Sequence, residues 1–378
     1  MKKVVTIVSA LCFLALAMSS CQKMSDMYDT GKPYSRVVIF FFEGYRTGLD
    51  LQSNINAMAS NPLPIKGSKK AVLYIDHTKN TPYLFHLYSD VYGNAVRDTL
   101  LTFPAGTRTC ERDQMREIFR YINEQFPSDH YGAVFSSHGT GWLPVDYNPK
   151  VKSLGPGYSD DKGTAEMTVQ EFAQAIGVHL DYLVLDACMM GCVETAYEIK
   201  GVCDNLISSC VEVPGDGFNY ATMIKDLLKD SPFSLEDVCL DYFNLYKDSS
   251  LFGATVSLVD CRKIDALAAL CRDLFDKYHD GLFSVDPESV QCFGQSEKYC
   301  FYDLEDILLK CGINAEEQEA LATVLKECIP CKYATPYFMT IVINHCCGLS
   351  MYLPSAGSAF LNGYYKSLSW NTATQLVK

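Results

Sequence analysis

Two apolar runs of this chain end in side chains that can carry covalent chemistry. Ala133-Val134-Phe135-Ser136-Ser137 runs into His138-Gly139-Thr140-Gly141-Trp142, and Tyr182-Leu183-Val184-Leu185-Asp186-Ala187 runs into Cys188-Met189-Met190-Gly191. A thiolate attacks a carbonyl carbon readily, and an imidazole can protonate the leaving amine and then activate water, so the pair suits acyl transfer through a thioester. A free thiol is only a few per cent ionised at neutral pH, and a neighbouring imidazolium or a helix start raises that share. In this reading Cys188 opens a helix, and its backbone N–H joins that of Gly139 in holding the oxyanion. Gly139 and Gly141 carry no side chain, which lets the backbone approach a substrate carbonyl. Asp186 reads as a strand-end residue bonding loop amides, and Trp142 as a wall of the cleft or a core residue.

The elements around these residues must deliver both to one place. Each run has the length and β-branched content of a buried strand, and the carboxyl ends of neighbouring parallel strands face one crevice. The short helix expected at 168–176 between them makes a strand, helix, strand unit with a right-handed crossover, so the fold class is α/β with a mostly parallel central sheet. Further strands are expected at 36–42, 70–75, 83–88, 205–211 and 253–259, with 70–75 and 83–88 forming a hairpin. Helices are expected at 49–60, 111–126, 193–200, 220–228, 235–246, 264–278, 303–309, 315–328 and 360–368. The segments 338–344 and 348–353 read as a pair of strands. Pro144, Pro149, Gly155, Pro156, Gly157 and Gly163 make 144–164 an exposed loop. With neither an internal repeat nor a low-complexity linker, the expected organisation is a catalytic domain over 35–280 with 281–378 packed on it as an extension.

Composition narrows the partners and the compartment. With 48% hydrophobic residues the 378-residue chain can bury a large core. Its net charge of −13 argues against nucleic acid and toward basic peptides. Residues 1–20 read as an export signal: a Met1-Lys2-Lys3 head, an apolar stretch too short for a permanent span, and small residues before Cys21. That arrangement resembles a bacterial lipoprotein signal, which implies lipid attachment at Cys21 and an outer-membrane anchor facing the periplasm or the surface, with 21–34 as a tether. The 17 cysteines form no compact disulfide framework by spacing. Cys328-Ile-Pro-Cys331 has redox or metal spacing but no second pair beside it, so no metal site is expected.

The blocks Ser136-Ser137-His138-Gly139-Thr140-Gly141-Trp142 and Leu185-Asp186-Ala187-Cys188-Met189-Met190 resemble those of the clostripain family, in the clan of caspases, gingipains and legumain. Glu212-Val213-Pro214-Gly215-Asp216-Gly217-Phe218 and Gly348-Leu349-Ser350-Met351-Tyr352-Leu353-Pro354, with Trp370 near the end, agree with it in order. The resemblance implies a caspase-like three-layer sandwich and a cysteine endopeptidase cleaving after Arg or Lys, with His138 and Cys188 catalytic. It also implies an acid in the substrate pocket, for which Asp216 is the first candidate and Glu212 the second, beside Trp142. Self-cleavage in the 144–164 loop at Lys150, Lys152 or Lys162 is a further implication. No cofactor is required; calcium, used by some relatives, would fall to Asp160 and Asp161. Phe42-Glu43-Gly44-Tyr45-Arg46-Thr47-Gly48 departs from the family's Ala-Asp-Asn pattern after the first strand. A monomer acting on basic peptides or proteins is expected, and the alternative is a catalytically silent, lipid-anchored peptide- or glycan-binding protein.

Overall fold

The strand Arg36–Phe42 (β1), Arg-Val-Val-Ile-Phe-Phe-Phe, is buried at every position after the first, as a strand covered on both faces must be. Its alternate side chains go to opposite layers. Val37, Ile39 and Phe41 join one core cluster, and Val38, Phe40 and Phe42 join the other. A computed structural model of the chain describes residues 32–45, 49–145, 147, 167–229, 234–249, 251–294 and 300–378. Cys21, Lys150, Lys152, Lys162, Asp160 and Asp161, and with them the export signal and most of the tether and the 144–164 loop, lie outside the described residues.

In chain order β1 is followed by the helix Leu51–Ala59 (α1), strands Lys70–Asp76 (β2), Tyr83–Ser89 (β3) and Ala95–Thr102 (β4), helix Arg112–Gln125 (α2) and strand Tyr131–Ser136 (β5). Helix Val169–Ala175 (α3), strand Tyr182–Asp186 (β6), helix Val193–Ile199 (α4) and strand Asn205–Ser208 (β7) come next. Helices Tyr220–Leu228 (α5) and Leu235–Tyr246 (α6), strand Thr255–Asp260 (β8) and helix Ile264–Lys277 (α7) complete this half. Together with Cys331–Ala334 (β10) the described strands form one sheet in the order β10-β8-β7-β6-β5-β1-β2-β3-β4. The centre, β7-β6-β5-β1-β2, is parallel, and the strands beyond it on both sides are antiparallel.

Local chemistry sets the elements. α2 puts Met115, Ile118, Phe119 and Ile122 on one buried face, the i, i+3, i+4, i+7 stripe of an amphipathic helix. α3 starts at a capping box in which Thr168 and Glu171 satisfy each other's backbone N–H groups. Where β5 and β6 pair, Gly132 lies opposite Tyr182, and a Cβ at Gly132 would fall 1.9 Å from the Tyr182 ring. That glycine lets the phenol cross its neighbour strand.

Several expectations are corrected at the periphery. β4 was not anticipated, because none of its residues is buried and they include Arg97 and Asp98. Segment 348–353 does not pair with 338–344: its strand Ser350–Met351 (β13) pairs with Tyr302–Asp303 (β9), while Tyr337–Phe338 (β11) pairs with Ile341–Val342 (β12). A last helix, Ser369–Thr374 (α12 after His279–Leu282, Leu304–Lys310, Ala315–Cys328 and Ala359–Tyr365 as α8 to α11), buries Trp370. Leu304, Leu353, Tyr365 and Val377 belong to the same apolar cluster as Val37, so the C-terminal part packs on that layer, and β10 extends the main sheet by one edge strand.

Candidate active site

β5 and β6 run side by side with Ser136 opposite Asp186. His138 and Cys188 each stand two residues beyond that rung, so adjacent parallel strands release them at the same level. From Tyr131 to Leu143 every residue but His138 is buried, and from Tyr182 to Ala196 every residue but Cys188 is buried. Thus each loop presents one side chain to the crevice. The two loops touch: Ser137 N donates to Asp186 O at 3.3 Å, and a Cβ at Gly139 would lie 2.6 Å from the carbonyl oxygen of Cys188. Only glycine lets the histidine loop lie this close to the Cys188 backbone.

Cys188 does not open a helix. α4 begins at Val193, and residues 188–191 turn back onto the chain after β7, where Met189 N donates to Val211 O at 3.1 Å and Gly191 N to Ser209 O at 2.7 Å. The turn forces Met189 to φ +60°, a left-handed conformation that costs a non-glycine residue about 1 kcal/mol or more. The third strand tip supplies the surroundings of the thiol. Val213 N donates to Cys188 Sγ at 3.4 Å.

The 212–218 loop is braced from below. Gly217 N donates to Pro214 O at 2.8 Å, which closes a turn with Asp216 exposed at its tip and Glu212 partly exposed before it. Gly217 takes φ +65°, and a Cβ there would lie 2.5 Å from Asp186 Oδ2. Asp186 accepts from Ser136 Oγ at 2.9 Å, from Tyr220 Oη at 2.6 Å and from the backbone N–H of Phe218. Burial pushes its carboxyl up, opposed by these three donors. Tyr246 Oη donates to Gly217 O at 2.7 Å, and Phe218 stacks on Tyr242 with ring centroids 4.2 Å apart. Asp186 therefore ties both strand tips to the 212–218 loop, and Tyr220, Tyr242 and Tyr246 are supports with no distinguishing mark in the sequence.

Trp142 is fully buried. Its indole packs against Tyr352 and Tyr365 at 5.0 and 5.1 Å, which puts it in the core behind the cleft instead of on a substrate-facing wall. Behind Cys188 the loop is held by the C-terminal part: Ser350 donates to Gly191 O through N (2.9 Å) and Oγ (3.2 Å). Buried Glu194 accepts from Tyr352 N at 2.9 Å and Tyr365 Oη at 2.6 Å with one oxygen. Burial pushes its carboxyl up to about 7, opposed by these donors, by its own N–H and by the Cys192 thiol.

The first-strand tip holds no exposed acid. Glu43 is buried, its Oε2 2.7 Å from His77 Nδ1, and Thr109 Oγ1 donates to Glu43 Oε1 at 2.7 Å. This knot ties the ends of β1 and β2 beside Ser136, whose carbonyl accepts from Glu43 N at 3.0 Å, so the segment that departs from the family pattern is structural at Glu43. Among the described residues no group of three or more His, Cys, Asp or Glu side chains is arranged to hold a metal ion.

A model of the clostripain family matches residues 47–353, and the chain belongs to that family. It is an enzyme of the cysteine-peptidase class. Solved structures similar to it include a secreted C11 cysteine protease from Bacteroides thetaiotaomicron in complex with an irreversible peptide inhibitor, at 22% identity and TM-score 0.78 over 90% of this chain and 98% of that one. An inactive zymogen C11 protease from Parabacteroides distasonis is 26% identical, at TM-score 0.77 over 90% and 98%. A clostripain from Bacteroides thetaiotaomicron in complex with the peptide inhibitor BTN-VLTK-AOMK is 24% identical, at TM-score 0.51 over 58% of this chain and 98% of that one. No curated protein matches the chain.

Proposed function

We propose that the protein is an endopeptidase that cleaves after Lys or Arg, with Cys188 as nucleophile and His138 as general acid and base. The carrying observation is that the two loops at one sheet end are buried except for these two side chains. The Cys188 thiolate adds to the scissile carbonyl, and the N–H groups of Gly139 and Cys188 hold the oxyanion. His138 then protonates the departing amine, leaving a thioester. Water, giving its proton to His138, releases the acid product and restores the thiol.

Asp216 supplies the basic-residue preference in this reading. Its carboxylate is exposed at the tip of a turn on the loop whose Val213 N–H meets Cys188 Sγ and would pair with an ammonium or guanidinium group; Glu212, partly exposed on the same loop, is the second acid within it. The lysine-ending peptide inhibitor bound by the Bacteroides clostripain supports such a preference. The zymogen form of the Parabacteroides relative supports an inactive precursor, self-cleavage at Lys150, Lys152 or Lys162 belongs to the same proposal, and the secreted relative supports export. Anchoring through Cys21 belongs to the same proposal. No described helix is long and apolar enough to cross a membrane.

A panel of fluorogenic peptides ending in Lys, Arg, Ala or Asp, run on the protein before and after brief trypsin treatment, tests this. Cleavage of the Lys and Arg members alone, absent in Cys188→Ala, is the expected result. Equal turnover of the neutral or acidic members would remove the assigned specificity, and turnover by Cys188→Ala would remove the nucleophile.

A further inference from the structure

The described cysteines are all thiols, yet several lie beside one another, and one such pair has a member lining a surface cavity. Cys239 lies on α6, fully buried, and Cys331 opens the edge strand β10 with 9% of its surface exposed. Helix α6 packs on β10, and the two thiols are near enough to perturb each other. The seam is regular: Phe243, one turn on from Cys239, stacks at 5.3 Å on Tyr333, two residues on from Cys331. Positions i and i+4 of a helix and i and i+2 of a strand each share a face, so the thiol pair and the ring pair are successive rungs of one interface. Cys331 also lines a surface cavity of about 470 Å³ with Glu236, Lys326, Pro330 and Tyr333.

We propose that Cys239 and Cys331 form a disulfide by exchange with a low-molecular-weight disulfide entering that cavity. Cys331 is the attacking sulfur, and Cys239 resolves. The Cys331 thiolate attacks one sulfur of the oxidant, expelling the other as a thiolate and forming a mixed disulfide. Cys239 loses its proton and attacks the Cys331 sulfur, which expels the second oxidant thiol. Two protein thiols are oxidised, and one oxidant disulfide is reduced to two thiols. The assignment of roles follows position: Cys331 lines the cavity and Cys239 lies fully buried behind it, and the neighbouring Cys239 thiol holds that of Cys331 below its usual range while burial pushes Cys239 up. Of the competing contacts, Cys203 with Cys261 is buried to 2% exposure or less on both sides, whereas Cys210 with Cys346 has a half-buried partner in Cys346 and is the pair that peptide mapping must tell apart from Cys239 with Cys331. Closure would staple β10 to the helix whose Tyr242 and Tyr246 back the Asp216 turn.

The test uses the full chain carrying Cys188→Ala, so that neither self-cleavage nor the nucleophile intrudes, treated with oxidised glutathione. Intact mass under denaturing, non-reducing conditions should fall by two hydrogen atoms, and peptide mapping should join the Cys239 and Cys331 peptides. The melting temperature should rise by about 3 °C or more, reversed by a thiol reductant. Adding Cys239→Ser should leave glutathione on Cys331, and adding Cys331→Ser should leave neither adduct nor cross-link, with melting under reducing conditions checking that each variant is folded. A cross-link mapped to another pair, a glutathione adduct that persists on Cys331 with Cys239 intact, or no reaction at Cys331 would each overturn the proposal.

Discussion

Two buried carboxyl groups flank Cys188 in sequence, and they are partnered differently. Asp186, two residues before it, is met by Ser136 Oγ, Tyr220 Oη and the Phe218 N–H, and these partners lead forward to the 212–218 loop. Glu194, six residues after it, accepts from Tyr352 N and Tyr365 Oη with one oxygen and is also met by its own N–H and the Cys192 thiol, and the first two partners lead back to the C-terminal part. Burial raises both groups. The candidate nucleophile is thus held between a polar knot in front, tied to the 212–218 loop, and one behind, tied to the C-terminal part, whose carboxyl burial pushes up to about 7. The front should tolerate no loss of a partner, whereas the back should respond to protons.

The largest effect expected is at the front. Asp186→Ala strands two hydroxyls and an amide in a buried site, and should cost about 3 kcal/mol of stability with peptidase activity down by roughly 100-fold or more. Denaturant unfolding with steady-state assays would check it, and a variant within about 1 kcal/mol of the parent would erase the contrast. Next comes Glu194→Gln. The folded carboxyl titrates at about 7 against an ordinary value of 4.5, so the folded state keeps a proton that the unfolded chain has lost. Its contribution is therefore fully present below about pH 4.5 and is lost as pH rises through 7. The parent's stability should fall over that window by up to about 3 kcal/mol, and the glutamine variant should flatten the slope. An unchanged slope would place the titration elsewhere.

Asp216→Asn sharpens the front further. Removing one charge-assisted bond should raise KM for Lys and Arg substrates roughly 10- to 100-fold, while a neutral residue at the same position is little affected. The smallest effect belongs to Tyr246→Phe, which deletes the bond to Gly217 O. It should cost about 1 kcal/mol and raise KM a few-fold with kcat nearly constant. A kcat loss equal to that of Asp186→Ala would mean the two supports act as one.

The centre of the fold was legible because its strands are continuous apolar runs, and β1, β5 and β6 fall where such runs predict them. The edges were not. β4 carries charged residues on an exposed strand, and β10 is four residues that pair with a strand far back in the chain, a contact with no local periodicity. Asp186 was readable as a strand-end acceptor. Its hydroxyl donor Tyr220 was not, since a buried tyrosine at a helix start looks like any core residue. The helix expected at Cys188 failed because left-handed Met189 and the bonds to Ser209 and Val211 delay α4 to Val193. Cysteine spacing misled in a similar way: Cys328 and Cys331 are close in sequence, but the thiol touching Cys331 is that of Cys239.

Among so many cysteines, the most direct test of the account is which sulfur an activated substrate finds. A lysyl peptide acyloxymethyl ketone, followed by intact mass and peptide mapping, should label Cys188 alone, with labelling slowed by roughly 100-fold in His138→Ala and absent in Cys188→Ala. Labelling of another cysteine at a comparable rate, or an unchanged rate without the imidazole, would contradict it.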